Sequence, residues 1–294
     1  MIRRDRVFQT TANIIMIVLM LYCMLPLLLL FASSITEERA LIVNGYSFWP
    51  SRIDWSAYKY ILIDSTQIVR GYGISAVVTL LGTVLNLMLT TLFAYPLSRK
   101  DLPGKTVISF ILFFTMLFNG GLVPSYIMWT QLLHIKNTFW ALLVPNLMMS
   151  AFNVIMMRTY FASNIPTELI DAAKIDGSGE YGILARIILP MAKPILSTLA
   201  LLVGLGYWND WLNGLYYVNQ DRLYSIQVLL NRMLMDTQFL MSSAAQKMSV
   251  DTSQLPSTGI KMAIAVMGIL PVLVVYPFLQ KYLVKGITIG AVKG

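Results

Sequence analysis

Residues able to do chemistry are sparse in this chain, and their spacing excludes most familiar schemes. His134 is the only histidine and Cys23 the only cysteine, so a histidine-centred acid–base pair, a disulfide within the chain and a Cys/His metal cluster all lack their parts. Gly104, Lys105 and Thr106 read like the end of a phosphate-binding loop. Arg99 stands where the first glycine of G-x-x-x-x-G-K-[ST] must be, and no buried strand precedes it. We therefore expect no catalytic residue, no metal site and no ATP site in this chain. Two groups of polar residues remain. The amides and aromatics of Asn86, Asn119, Asn146, Asn153, Tyr207, Trp208 and Asn209 lie along otherwise apolar stretches, where they either hold helices together or line a polar path. The other group is a charged, alanine- and glycine-bearing run, ELIDAAKIDGSGEYGILARIILP, from Glu168 to Pro190.

The elements that position these residues follow from composition. Of the 294 residues 57% are hydrophobic and only 12% charged, with a mean hydropathy of +0.67, whereas a soluble domain carries about 25% charged residues. Six apolar stretches approach the roughly 20 residues that cross a bilayer as a helix. They cover about 13–32, 74–97, 107–128, 139–160, 194–211 and 262–283. None alternates with a period of two, and backbone in lipid must satisfy its own hydrogen bonds, so helices are preferred over a barrel. The expected fold is an all-α integral membrane protein with a single domain over 1–294. Arg3, Arg4 and Arg6 precede the first run as in a signal peptide, but the run exceeds the 7–15 residues of a signal-peptide core.

Orientation follows from the basic residues, which accumulate on the cytoplasmic side. With both termini inside, the inner segments carry 13 of the 22 basic residues against 6 of the 14 acidic ones, a net +7, and the outer segments balance to +1. The net charge of +8 is thus a topology signal, and no nucleic-acid partner is needed to explain it. Unpaired charges within the spans would mark an ion channel or secondary transporter; here the charges collect at the ends.

Within this frame, Ser75, Thr79, Thr83, Asn86 and Thr90 recur at intervals of 3 and 4, so they share one helical face with Gly82 beside them. That face packs on protein through small residues or lines a path. Gly120, Gly121 and Pro124 weaken the third span near its outer end. The outer segment 33–73 holds Trp49, Trp55, Tyr58 and Tyr60, which suit an interfacial belt. A second outer segment, 210–260, is long enough to be a structured excursion.

The charged run reads as a short cytoplasmic helix over 166–177. Pro166 suits a helix start, Glu168 and Asp171 lie near the positive end of the helix dipole, and Gly177 is a natural stop. At about eleven residues, roughly 16 Å, it is too short to span a membrane. Spacings of 3 and 4 put Leu169, Ala172, Ala173 and Asp176 on one side. Such a helix is marginal alone and needs docking to persist, either on the membrane surface or on another protein.

Asp171, Ala172 and Ala173, then Gly177, Ile187, Leu189 and Pro190, are similar to the EAA motif of ABC importer permeases, with Asp171 in place of the usual Glu. IPTELIDAAKIDG and ILPMAKP resemble the form found in carbohydrate permeases of the maltose and multiple-sugar class. FNGGLVPSY, NTFWALLVP, FNVIMMRTYF and the tail KYLVKGITIGAVKG extend the likeness over nearly the whole chain, toward the branch handling complex or acidic oligosaccharides. The resemblance implies a six-span permease in a bacterial cytoplasmic membrane that pairs with a second, related permease. Two ATPase subunits using ATP and magnesium, and an extracytoplasmic sugar-binding protein, complete the implied assembly. It also implies that Glu168, Asp171, Ala172, Ala173 and Gly177 form the surface docking on the ATPase, that 210–260 reaches the binding protein, and that the scattered amides and aromatics serve a sugar path. A permease for peptides or amino acids is the alternative.

Overall fold

Runs of Val, Ile, Leu and Met fold as helices in the computed structural model, which describes the backbone of residues 2–64, 66–240 and 258–291 and the side chains of 6–63, 66–235 and 258–277. In chain order the helices are α1 (Ile2–Ser34), α2 (Glu38–Asn44), α3 (Ser56–Lys59, widening into a π-turn over Tyr60–Asp64), α4 (Thr66–Ser98), α5 (Lys105–Leu117), α6 (Leu122–Ile127), α7 (Trp140–Leu143), α8 (Ala151–Asn164), α9 (Thr167–Ile175), α10 (Glu180–Ile183), α11 (Leu189–Met191), α12 (Lys193–Trp208), α13 (Leu212–Tyr217), α14 (Ile226–Leu240) and α15 (Thr258–Ala291). Among the described residues no strand forms; Thr36 and Ile53 make one isolated bridge.

The six apolar stretches are helical, but not as six straight spans. Among the described residues three helices are single and long enough to cross a bilayer, over Arg6–Ser34, Thr66–Ser98 and Thr258–Pro277. The third expected span bends by 112° between Lys105–Leu117 and Leu122–Leu132. The bend sits at Gly121, whose φ of 87° suits glycine and whose N–H donates to Asn119 Oδ1 at 2.8 Å. The fourth breaks outright between α7 and α8. Pro145 disfavours helix at Val144 before it, and Asn146 takes a left-handed φ of 61°. Lys193–Trp208 meets Glu180–Met191 at 81°.

The chain divides into two compact units, Met1–Val69 with Leu230–Pro271, and Arg70–Leu229 with Val272–Gly294. In the first, α1 exposes almost all of its apolar side chains, from Val7 to Leu28, a surface suited to hydrocarbon. Its C-terminal end is fastened. Ser34 Oγ and Tyr58 Oη share a hydrogen bond of 2.7 Å, and the Asp54 and Glu37 amides donate to the Ile35 and Arg52 carbonyls. Glu38 accepts from the amides of Thr258 and Gly259, both at 2.8 Å, so a carboxylate remote in sequence caps the positive end of α15.

In the second unit, α4 and α12 contribute to two apolar clusters. One joins Ala94, Tyr95 and Leu97 to residues of α8, α9, α10 and α12; the other joins Val78 to α7, Tyr207, Tyr217 and the start of α14. The helices meet closely where a Cβ at Gly82 would lie 2.4 Å from the Tyr207 ring. Residues 212–229, expected to belong to an outer loop, are largely core: Asn213, Tyr217, Tyr224, Ile226, Val228 and Leu229 are buried. Their apolar run is short, and the polar residues on either side of it obscure its spacing. The remainder of that expected loop, 241–257, lies outside the described residues, as do the side chains of the C-terminal tail.

Alanine ordinarily improves on glycine within a helix by about 1 kcal/mol, yet Gly82→Ala is expected to destabilise by about 1–3 kcal/mol because Tyr207 must move. Gly73→Ala, on the same helix with nothing within 4 Å, serves as the control. Thermal unfolding of the purified chain in detergent should give a lower midpoint for the first and an unchanged or higher one for the second.

Candidate functional site

α9 is built by local rules at both ends. Pro166 occupies the N-cap with φ −60° and ψ 133°, one position earlier than a first-turn proline. Ile165 before it and Ile170 in the second turn are buried in one cluster, the arrangement of a hydrophobic staple. At the other end Gly177 has φ +79°; its N–H donates to Lys174 O at 3.0 Å, and the Ser178 N–H donates to Ala173 O at 2.9 Å. These two bonds form a Schellman cap, which only a residue tolerant of the left-handed region closes without strain.

The cap fixes the helix, and burial decides its faces. Ile170 and Ala173, three apart, turn inward and join the core formed by α4, α8 and α12. Ala173 is only 8% exposed, so it backs the helix rather than belonging to its outer surface. Glu168, Leu169, Asp171, Ala172 and Asp176 are exposed. Ile175 is 87% exposed and Tyr181 83%. Leu169, Ala172 and Ile175 therefore make a contiguous apolar strip on the outward side, bordered by acids. Ile175 is not among the residues the sequence singled out; its spacing of three from Ala172 was the available signal.

Charged side chains tie α9 to its surroundings. Lys174 Nζ lies 2.9 Å from Glu180 Oε1 and 3.8 Å from Asp101 Oδ2, and Arg99 Nε lies 3.4 Å from Asp101 Oδ1. Tyr95, near the C-terminal end of α4, donates its hydroxyl to Glu180. The Tyr95 hydroxyl, followed by Lys174, holds the Glu180 carboxyl below the usual carboxylate range. Asp101 is held low by its own backbone amide, with Arg99 and Lys174 adding to the effect. A cavity of about 530 Å³ lies beside these groups, lined among others by Leu92, Pro96, Leu102 and Leu184.

The scattered amides and aromatics separate into two sets. Three side chains satisfy carbonyls freed by the break between α7 and α8. Tyr207 donates to Leu143 O at 2.9 Å, Asn213 to Pro145 O at 2.9 Å and Asn86 to Leu147 O at 2.6 Å. Thr90 donates back to Asn86 at 3.1 Å, and Ser75 accepts from the Ile226 amide at 3.0 Å. The polar face of α4 is thus a packing face, and Asn86 and Tyr207, each 2% exposed, are engaged in holding the break. Trp208 is buried as well. Asn213 was not singled out in the sequence, because nothing there announced the break that needs it. Asn119 closes the turn at Gly121. Asn146 and Asn209 are exposed and Asn153 is half-buried. Among the described residues, the Asn209 side chain accepts a long contact of 3.5 Å from Gln227.

With this geometry in view, comparison with known proteins is direct. Residues 3–289 match the family described as binding-protein-dependent transport system inner membrane component. Protein LplC of Bacillus subtilis is 36% identical over 270 residues, 92% of this chain and 89% of that protein. The polygalacturonan/rhamnogalacturonan transport system permease protein YtcP of the same organism is 34% identical, with 99% and 100% covered. Among solved structures, a bacterial ABC transporter involved in the import of the acidic polysaccharide alginate has a chain that superposes with a TM-score of 0.82. Its identity is 30%, over 96% of this chain and 98% of that one.

The division of the polar residues is testable by stability. Asn86→Ala leaves the Leu147 carbonyl and the Thr90 hydroxyl unpartnered and should cost about 1–3 kcal/mol, whereas Asn153→Ala should stay within about 0.5 kcal/mol. Unfolding midpoints of the two variants, measured side by side, check the assignment.

Proposed function

Because this chain belongs to the family of binding-protein-dependent transport system inner membrane components, it is a multi-pass permease subunit and not an enzyme, and we propose that it carries oligosaccharides, with uronate-containing fragments as the favoured class. The relatives named for polygalacturonan, rhamnogalacturonan and alginate support that cargo and weigh against peptides or amino acids. A permease of this family works with an ATPase and an extracytoplasmic binding protein. We assign to the assembly a second, related permease and two ATPase subunits, which bring ATP and magnesium. Both termini are assigned to the cytoplasm, in keeping with the basic inner segments.

The observation that carries the coupling assignment is the outward strip of α9. A nine-residue helix, capped at its end and backed by core, presents Leu169, Ala172 and Ile175 on its exposed side. Exposed apolar residues clustered on a charged segment mark an interaction site, and a small residue at the centre allows close approach. Glu168, Asp171 and Asp176 border the strip and suit basic side chains on the ATPase. Asp171 is one methylene shorter than Glu, so a direct ion pair there needs a closer approach. Gly177 acts through the cap and Ala173 through the core, so both place the strip without belonging to it. Energy then enters as a bias between two packings of the helices.

For the cargo, the exposed amides of Asn146 and Asn209 and the half-buried amide of Asn153 supply donors and acceptors suited to sugar hydroxyls. The broken segment that carries Asn146 is backbone of the kind tolerated at membrane depth where it is buried in protein or faces a water-filled cavity. On the outer side, Asn219, Asp221 and Arg222 are exposed polar residues of 210–260 suited to contact with a binding protein.

Ala172→Arg places a long cation in the middle of the strip. Co-purification with the ATPase should fall by about tenfold or more, as for a central interface residue, while the unfolding midpoint of the isolated permease is unchanged. A full ATPase complement with normal uptake would remove α9 as the docking element. Ala173→Glu, by contrast, should lower the midpoint itself.

A further inference from the structure

The coupling helix meets α4 in two ways, through a packed core and through a chain of polar contacts beside it. On one side of α9, Ile170 and Ala173 are seated in core. That core includes Ala94, Tyr95 and Leu97 of α4, and an open pocket of about 530 Å³ lies beside it, bounded by Leu92, Tyr95 and Pro96 of α4, by Asp101 and by Glu180 and Leu184. A close-packed core transmits a displacement, and a directional polar contact adds a second route to it. The second route is polar. Lys174, in the last turn of α9, contacts Glu180 at 2.9 Å, and Glu180 accepts the hydroxyl of Tyr95. A longer branch runs from Lys174 to Asp101 at 3.8 Å and on to Arg99 at 3.4 Å.

Farther along α4, Asn86 holds the carbonyl of Leu147 in the broken segment that also bears Asn146. Resting on the reading of α9 as the coupling helix, we propose that Lys174, Glu180 and Tyr95 are positioning residues that transmit movement of α9 to α4, and through Asn86 to the broken segment beside the sugar path. The three residues need not touch cargo, nucleotide or the ATPase. The Glu180 carboxylate takes one partner on each oxygen, so the two ends of the tie are held at a fixed separation and displacement of one is felt at the other. Since Lys174 and Glu180 are partly exposed, the tie contributes little to stability, and its effect is read in coupling.

The test uses the complete transporter, with its ATPases and binding protein in liposomes, and the oligogalacturonide or alginate fragment that drives the unaltered complex best. Tyr95→Phe removes one hydroxyl, Glu180→Gln one charge, and Lys174→Met is compared with Lys174→Arg. For the first three, the ATPase complement and the KM for loaded binding protein should be unchanged, while sugar imported per ATP hydrolysed falls roughly five- to tenfold, the scale of an ordinary coupling energy. Lys174→Arg should retain most of the ratio. An unchanged ratio in Tyr95→Phe and Glu180→Gln would overturn the tie. Loss of the ATPase from the same variants would also overturn it, placing Lys174 and Glu180 in the docking surface; failure of the α9 reading itself would instead appear as an intact complex in Ala172→Arg.

Discussion

Backbone polar groups released inside an apolar segment need partners, and the structure of the larger unit is organised around meeting that need. The break between α7 and α8 frees the carbonyls of Leu143, Pro145 and Leu147, and Tyr207, Asn213 and Asn86 arrive from three other helices to satisfy them. An unpartnered carbonyl in hydrocarbon costs several kcal/mol, so these donors are anchored in place. Tyr207 can reach only because Gly82 has no side chain. The same requirement thus fixes the contact of α4 with α12 and the burial of α13 under the break.

From that anchored frame the side assigned to the cytoplasm follows. α4 runs from the break to Tyr95, and there it meets the segment that carries α9. One helix therefore touches both the region assigned to cargo and the region assigned to energy input. α9 itself is held by its cap and by Ile170 and Ala173, which leaves its outward strip rigid enough to be gripped.

Much of this was legible in the amino-acid sequence. The lack of alternation announced helices, the basic residues suggested an orientation, and Pro166 and Gly177 bracketed α9 to within two residues. Spacing alone could not choose the buried face of a short helix: Leu169, Ala172 and Ala173 share a side by arithmetic, but the core takes Ile170 with Ala173 and leaves Ile175 outside. The breaks were harder. Gly120 and Gly121 signalled the bend after α5, whereas Pro145 inside a long apolar run carried no sign that Tyr207, Asn86 and Asn213 would serve it. Polar residues in apolar helices look alike in sequence whether they bind cargo or backbone, and only their partners tell them apart.

The central claim, that this chain couples oligosaccharide passage to a separate ATPase, is tested most directly by substrate-stimulated ATP hydrolysis in the reconstituted complex. The account predicts that binding protein loaded with a uronate-containing oligosaccharide raises hydrolysis well above the level without sugar, and that the rise disappears when this chain is omitted. Equal hydrolysis with and without sugar, or stimulation by peptides in its place, would contradict it.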